Sequence, residues 1–109
     1  MRALFLIAVL GCGNAKGPPP CSAVGAKFVV LAQAELDAAK LDESLRRLVL
    51  DQLPAMRDTL VTVCTEAKWD PAVRTCMVGA TDHASFEACE GALNSTQREA
   101  LERGVSGEP

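Results

Sequence analysis

Five cysteines and one histidine are the side chains of this 109-residue chain best suited to covalent, metal-binding or nucleophilic chemistry. The cysteines lie at Cys12, Cys21, Cys64, Cys76 and Cys89. Thiols can pair as disulfides, bind a metal, act as nucleophiles or carry a covalent modification. Because five is an odd number, pairing within the chain would leave one thiol over in an oxidising compartment. We therefore expect two disulfides and one cysteine with a different role.

No metal or catalytic pattern accompanies these thiols. The chain has no Cys-x-x-Cys, and His83 is its single histidine, so the clustered ligands of a zinc site are missing. A catalytic triad would have to include His83, which follows the candidate helix cap Asp82 and which we expect to be solvated. The thiol nearest to it in sequence, Cys89, is expected in a disulfide. We predict no enzyme activity, metal, cofactor or small-molecule substrate.

Charge and composition exclude further classes. The formal net charge is -3, the pI is about 5.1, and only 4% of the residues are aromatic. An acidic chain with few aromatic side chains is unsuited to binding nucleic acid. Apolar residues make up 49% of the chain, helix formers dominate, and alternating β-branched residues are nearly absent. We expect one small all-α domain.

The amino terminus has the layout of an export signal. Arg2 precedes the apolar run 3–10, which is too short to span a bilayer because about 20 residues are needed. The segment Val9-Leu10-Gly11-Cys12 resembles the lipobox of bacterial lipoprotein precursors. The resemblance implies a signal peptide over 1–11, a diacylglyceryl group with acyl chains such as palmitate on the Cys12 thiol, and cleavage before that residue. Gly13, where an Asp would retain a lipoprotein in the inner membrane, implies delivery to the outer membrane.

Two alternatives to lipidation remain open at this point. An ordinary secretory signal cut after Ala15 would release a soluble periplasmic or secreted protein, and the apolar run could instead be a buried start of the domain. In the lipoprotein interpretation, residues 12–20 form a flexible tether, and its three prolines favour an extended polyproline II conformation.

Removing Cys12 leaves four cysteines, which allow three pairings. Cys21 and Cys64 lie almost equally far from a predicted turn near Asp42, and Cys76 and Cys89 flank a second turn near Thr81. This favours Cys21–Cys64 with Cys76–Cys89. The rival pairing is Cys64–Cys76 with Cys21–Cys89, since Trp69 lies about midway between 64 and 76.

Local signals place four or five helices in a domain over 21–104, followed by a disordered tail over 105–109. The predicted first residues or caps are Ser22, Asp42, Asp70-Pro71, Thr81 or Asp82, and a capping box at Thr96 and Glu99, with a last helix that ends near Gly104. Pro54 would kink the second helix or restart it from Asp51.

Apolar residues at helical spacing define the expected core. The predicted inner positions are Val24, Phe28, Leu31, Ala32 and Leu36; Leu45, Val49, Leu53, Met56, Leu60 and Cys64; Val73, Cys76, Met77 and Ala80; and Phe86, Cys89 and Leu93. Asp42–Arg46 and Glu43–Arg47 have the spacing of helical ion pairs. Trp69 is expected to cover the core, with an exposed partner anchor as the alternative.

The stretch Val63–Cys76 resembles small exported helical proteins of social soil bacteria. The shared features are a Cys, a Trp before a helix cap, Arg74-x-Cys76 and a final Cys89-x-x-x-Leu93. The likeness covers about residues 64–101. It implies an all-helical, disulfide-bearing domain of unknown function at the cell envelope, with no catalytic residues. We therefore expect a binding or structural module, attached to the membrane through lipid, that meets another envelope protein; the alternative is a secreted inhibitor or effector.

Overall fold

Residues 17–106 are described by a computed structural model, and they form helices and turns held by two disulfides. The predicted all-α bundle with two disulfides is confirmed. The signal peptide over 1–11 and Cys12 lie outside the described residues, as do 107–109. The helices are α1 Cys21–Ala39, α2 Glu43–Glu66, α3 Pro71–Val78, α4 His83–Ala88 and α5 Ser95–Ser106, and a 3₁₀ turn, Cys89–Ala92, joins the last two.

An antiparallel hairpin of α1 and α2 is the frame of the domain. Lys40 ends α1 in the left-handed region with φ 52°, and Asp42 caps α2 by accepting a 2.8 Å hydrogen bond from the Leu45 N–H. Gly25 lets the helices approach closely, because a Cβ there would lie 2.5 Å from Val61 Cγ2.

The prediction that Ser22 caps α1 is wrong. The N-cap is Pro20, whose carbonyl accepts from the Ala23 N–H at 3.0 Å, so α1 begins one residue before Ser22.

Pro54 lies inside α2, which continues through it as one helix. The restart from Asp51 is therefore not observed. Proline removes one backbone donor from a helix and crowds the preceding turn, which costs about 3 kcal/mol. Leu53 and Leu60, on either side of Pro54, are both buried. Both side chains can be buried only if the helix keeps its register across Pro54, so their burial favours a continuous helix.

The three short helices pack against one end of the hairpin. Both predicted starts are confirmed: α3 begins with Pro71, and Asp82 forms a capping box with Ser85 at the start of α4. The predicted cap at Asp70 is not, because its side chain makes no capping hydrogen bond within the described residues. The inner positions Val73, Met77 and Phe86 are at most 2% exposed. The core cluster comprises Val24, Leu31, Leu60, Val63, Cys64, Trp69, Val73, Met77, Ala80, Phe86, Cys89, Leu93 and Leu101.

The last helix differs from its prediction at both ends. Its capping box is formed by Asn94 and Gln97, with hydrogen bonds of 2.8 and 3.0 Å, and not by Thr96 and Glu99. Gln97 is buried, and its Nε2 also donates to the carbonyls of Ala67 at 3.3 Å and Lys68 at 3.2 Å, which offsets the cost of burying the amide. The helix does not stop near Gly104 but runs to Ser106, since Gly104 is a packing position against α2 and not a C-terminal cap.

One of the two predicted ion pairs forms. Arg47 and Glu43 lie 3.3 Å apart, as expected.

Arg46 pairs with Asp37 of α1 at 2.6 Å instead of with Asp42. The physical reason is that the Asp42 carboxylate is occupied by the Leu45 N–H and the Ser44 hydroxyl. The Asp37–Arg46 pair thus joins the two helices beside their connecting turn.

Candidate functional site

The four described cysteines form Cys21–Cys64 and Cys76–Cys89, the favoured pairing. Cys21–Cys64 joins the first residue of α1 to the end of α2, and Cys76–Cys89 joins α3 to the 3₁₀ turn. Cys64 and Cys89 are buried, whereas Cys76, predicted as an inner position, is exposed. Sulfurs held in disulfides are not available as thiolate nucleophiles or metal ligands.

Arg74 of α3 holds the point where the chain enters the domain. Its Nη1 donates to the Pro19 carbonyl at 2.7 Å, and its Nε donates to the Trp69 carbonyl at 3.3 Å. The segment that precedes α1 is therefore attached to the end of the hairpin where Cys21 and Cys64 lie. The turn at 40–42 is at the other end of α2, whose 24 residues measure about 36 Å.

Trp69 belongs to the core. It is 3% exposed, so the expectation that it covers the core is confirmed and the exposed partner anchor is wrong. Its backbone N–H donates to the Cys64 carbonyl at 3.1 Å, which fixes the residue directly after α2. Its indole Nε1 is buried and has no hydrogen-bond partner within the described residues.

His83 is half-buried, which corrects the expectation that it is solvated. Its ring packs against Phe28 with 6.3 Å between ring centroids, and its Nε2 lies 3.3 Å from the Glu87 carboxylate. A histidine beside a carboxylate is two thirds of a nucleophilic triad. The nearby Ser85 hydroxyl is engaged in the α4 cap, and Cys89 is a disulfide, so neither completes one.

The pKa values of two carboxylates near the His83 ring are shifted in opposite directions. Burial raises the pKa of Glu90, and the neighbouring charge of Glu87 raises it further. The Ser85 backbone N–H holds the pKa of Asp82 below its ordinary value, with a contribution from the Ser85 side chain. Within residues 17–106, no three His, Cys, Asp or Glu side chains come together as ligands for a metal ion.

α2 exposes apolar side chains that the sequence assigns to the core. Leu45 is 44% exposed and Met56 is 43% exposed; Leu48, beside them, is 55% exposed. These three residues recur at helical spacing and so lie on one side of α2. A shallow groove next to Leu48 is lined by carboxylates of Asp42 and Asp51. We call Leu45, Leu48 and Met56 the apolar stripe.

One feature of the sequence indicates that other helices would not cover the apolar stripe. The inner pattern of the second helix extends over 20 residues, whereas the predicted helices after Trp69 are short. In the structure, α3 and α4 have 8 and 6 residues and lie near the disulfide end. None of the helices within 17–106 combines the length and hydrophobicity needed to cross a bilayer.

Comparison of the chain with protein-family models, with curated proteins and with solved structures finds no match. Function therefore has to be argued from the chain's own residues.

Proposed function

We propose that this protein is a lipid-anchored binding module of the cell envelope, held in the outer membrane through Cys12. The observation that supports this most directly is the use of the cysteines. Two disulfides account for four of the five cysteines and point to an oxidising compartment, and Cys12 is left for a different chemistry. Cys12 is also the residue that a lipobox would modify.

The arrangement of the hairpin suits such an anchor. The segment after Cys12 reaches the domain at the Cys21–Cys64 end, where Arg74 holds Pro19. The apolar stripe begins near the opposite end of α2. A lipid on Cys12 would hold the first end at the membrane and leave the second free to meet another envelope component. Each buried CH₂ of the acyl chains contributes about 0.8 kcal/mol to membrane binding.

The mass of the mature amino-terminal peptide tests the anchor. We expect cleavage before Cys12, an acylated Cys12 and a protein that sediments with membranes. Cys12→Ala should remove lipid labelling while both disulfides still form. A Cys12→Ala protein that still carries lipid would rule out this anchor.

The second candidate is a secreted helical factor, such as an inhibitor or effector, released by cleavage after Ala15. It is favoured by the same two disulfides, because they suit any exported domain. Its mature protein would begin with an unmodified Lys16 and would appear in the soluble fraction.

A further inference from the structure

We propose that the apolar stripe of α2, with the carboxylates beside it, is a docking site for a basic amphipathic helix of another protein. The inference rests on the proposed binding role and names the surface and the partner's chemistry. Three partly exposed apolar side chains on one helical face, Leu45, Leu48 and Met56, are the core of the site.

The stripe continues an interface that the domain already uses. On α2, the positions Val63, Thr59, Met56, Gln52, Leu48 and Leu45 follow one another at steps of three and four residues, so they form one face. α5 covers the first two of these positions. A Cβ on Gly104 would lie 3.0 Å from Val63 Cγ2 and 3.1 Å from Thr59 Cγ2.

The direction of α5 indicates how a partner would lie. Gln97, near the start of α5, contacts the residues just after α2, and Gly104, near its end, contacts Thr59. α5 is therefore antiparallel to α2 and points toward the stripe. It ends at Ser106, two residues beyond the position that packs on Thr59, and Val105 is 70% exposed. A partner helix laid in the same line would cover Met56, Gln52, Leu48 and Leu45.

The charges beside the apolar stripe indicate what kind of partner helix would bind. Among the residues that the structure describes, Asp42, Glu43 and Asp51 line the groove beside Leu48, and Arg47 is the one cation. Arg47 is already paired with Glu43 at 3.3 Å, so the other two carboxylates leave the rim acidic. Lysines or arginines flanking the partner's apolar residues would complement it. A second copy of this chain would bring acidic rims together, and the net charge of -3 adds to that repulsion.

Photo-crosslinking of the full chain in the cells that produce it tests the proposal. Benzoylphenylalanine replaces Leu48 in one variant and Val30 in the other. Val30 is the matched control, because it is 60% exposed but lies on α1 outside the stripe. We expect the Leu48 variant alone to give an adduct, and the crosslinked segment of the other protein to be an amphipathic helix with basic flanks.

Two further substitutions separate the apolar and the charged contributions. With the crosslinker at Leu48, Met56→Gln and Asp51→Lys should each lower the adduct yield about tenfold, which corresponds to about 1.4 kcal/mol of binding free energy. Both positions are exposed, so unchanged urea midpoints should show that the variants still fold.

Several outcomes would overturn the docking site: equal adducts from Leu48 and Val30, no adduct, an adduct with lipid, an adduct only with a second copy, or an Asp51→Lys variant with undiminished yield. Acylation of Cys12 is measured on the same samples. A missing acyl group would refute the proposed membrane anchor. A missing adduct in a protein whose Cys12 is acylated would refute only the proposed docking site.

Discussion

Gly25 of α1 lies directly against Val61 of α2, so closely that a Cβ on Gly25 would come within 2.5 Å of Val61 Cγ2. From sequence alone, Gly25 is a weak point in the first turns of a helix. In the fold it is the position that sets how closely the two long helices approach.

Gly25→Ala should therefore destabilise the domain. Overpacking costs about 1–3 kcal/mol, and it exceeds the gain of up to about 1 kcal/mol in helix propensity. The matched control is Gly91→Ala, because a Cβ there would meet nothing within 4 Å. Urea unfolding measures both variants. A Gly25→Ala protein at least as stable as the Gly91→Ala protein would contradict the close approach.

Trp69 should report its burial through fluorescence, since it is the single tryptophan. We expect blue-shifted emission that iodide quenches weakly, and a red shift on unfolding. Trp69→Ala should cost about 3–5 kcal/mol of unfolding free energy. Trp69→Phe should cost about 1.5 kcal/mol or less, because it keeps a ring and removes a buried indole N–H that has no partner within 17–106. Equal losses in the two variants would argue that ring packing is not what Trp69 contributes.

The two disulfides should differ in their contribution to stability. They close loops with sequence separations of 43 and 13 residues, for which chain entropy gives about 4 and about 3 kcal/mol. We expect the pair Cys21→Ala and Cys64→Ala to lower the urea midpoint more than Cys76→Ala with Cys89→Ala. Cys12→Ala is the control and should leave the midpoint unchanged, since both disulfides remain. Peptide mapping without reduction checks the pairing, and a Cys21–Cys89 peptide would refute it.

Glu90 should make the domain less stable as the pH rises through the range between its ordinary pKa and its raised pKa. Folding raises this pKa through burial and through Glu87, so the native state binds more protons than the unfolded state in that range. Below it the carboxyl is protonated in both states, and above it the full cost of ionisation remains. Glu90→Gln should therefore gain stability relative to the parent protein as the pH rises from acid toward neutral.

Asp82→Asn serves as a control, because its effect on stability should depend on pH in the opposite direction to that of Glu90→Gln. The pKa of Asp82 is lowered by the Ser85 N–H, so its ionised form stabilises the fold above its ordinary pKa, and this contribution is lost as the pH falls through the folded value. The variant should be less stable than the parent near neutral pH and approach it in acid. Urea midpoints measured across the acidic range test both variants. Parallel trends for the two substitutions would contradict the assignment.

Local chemistry made much of the fold predictable. Asp42, Asp70-Pro71 and Asp82 mark helix starts, because a cap and a proline act within a few residues of their own position. The disulfide pairing could be ranked because an antiparallel hairpin brings equidistant cysteines together. The Asn94–Gln97 box was missed because Thr96 and Glu99 offer the same local pattern, and only the contact of Gln97 with the end of α2 decides between them.

The candidate binding surface was not predicted from the sequence. Periodicity shows that Leu45, Met56 and Leu60 share a helical stripe, but it does not show how far the other helices reach along it. Leu53 and Leu60 are buried, whereas Leu45 and Met56 lie on the face of α2 where α5 packs at Val63 and Thr59, and they are left exposed. The helical class and the helix starts at Asp42, Pro71 and Asp82 follow from the sequence, since they depend on neighbours in the chain. Which apolar residues are covered was decided only by the tertiary structure, because burial depends on where distant segments end.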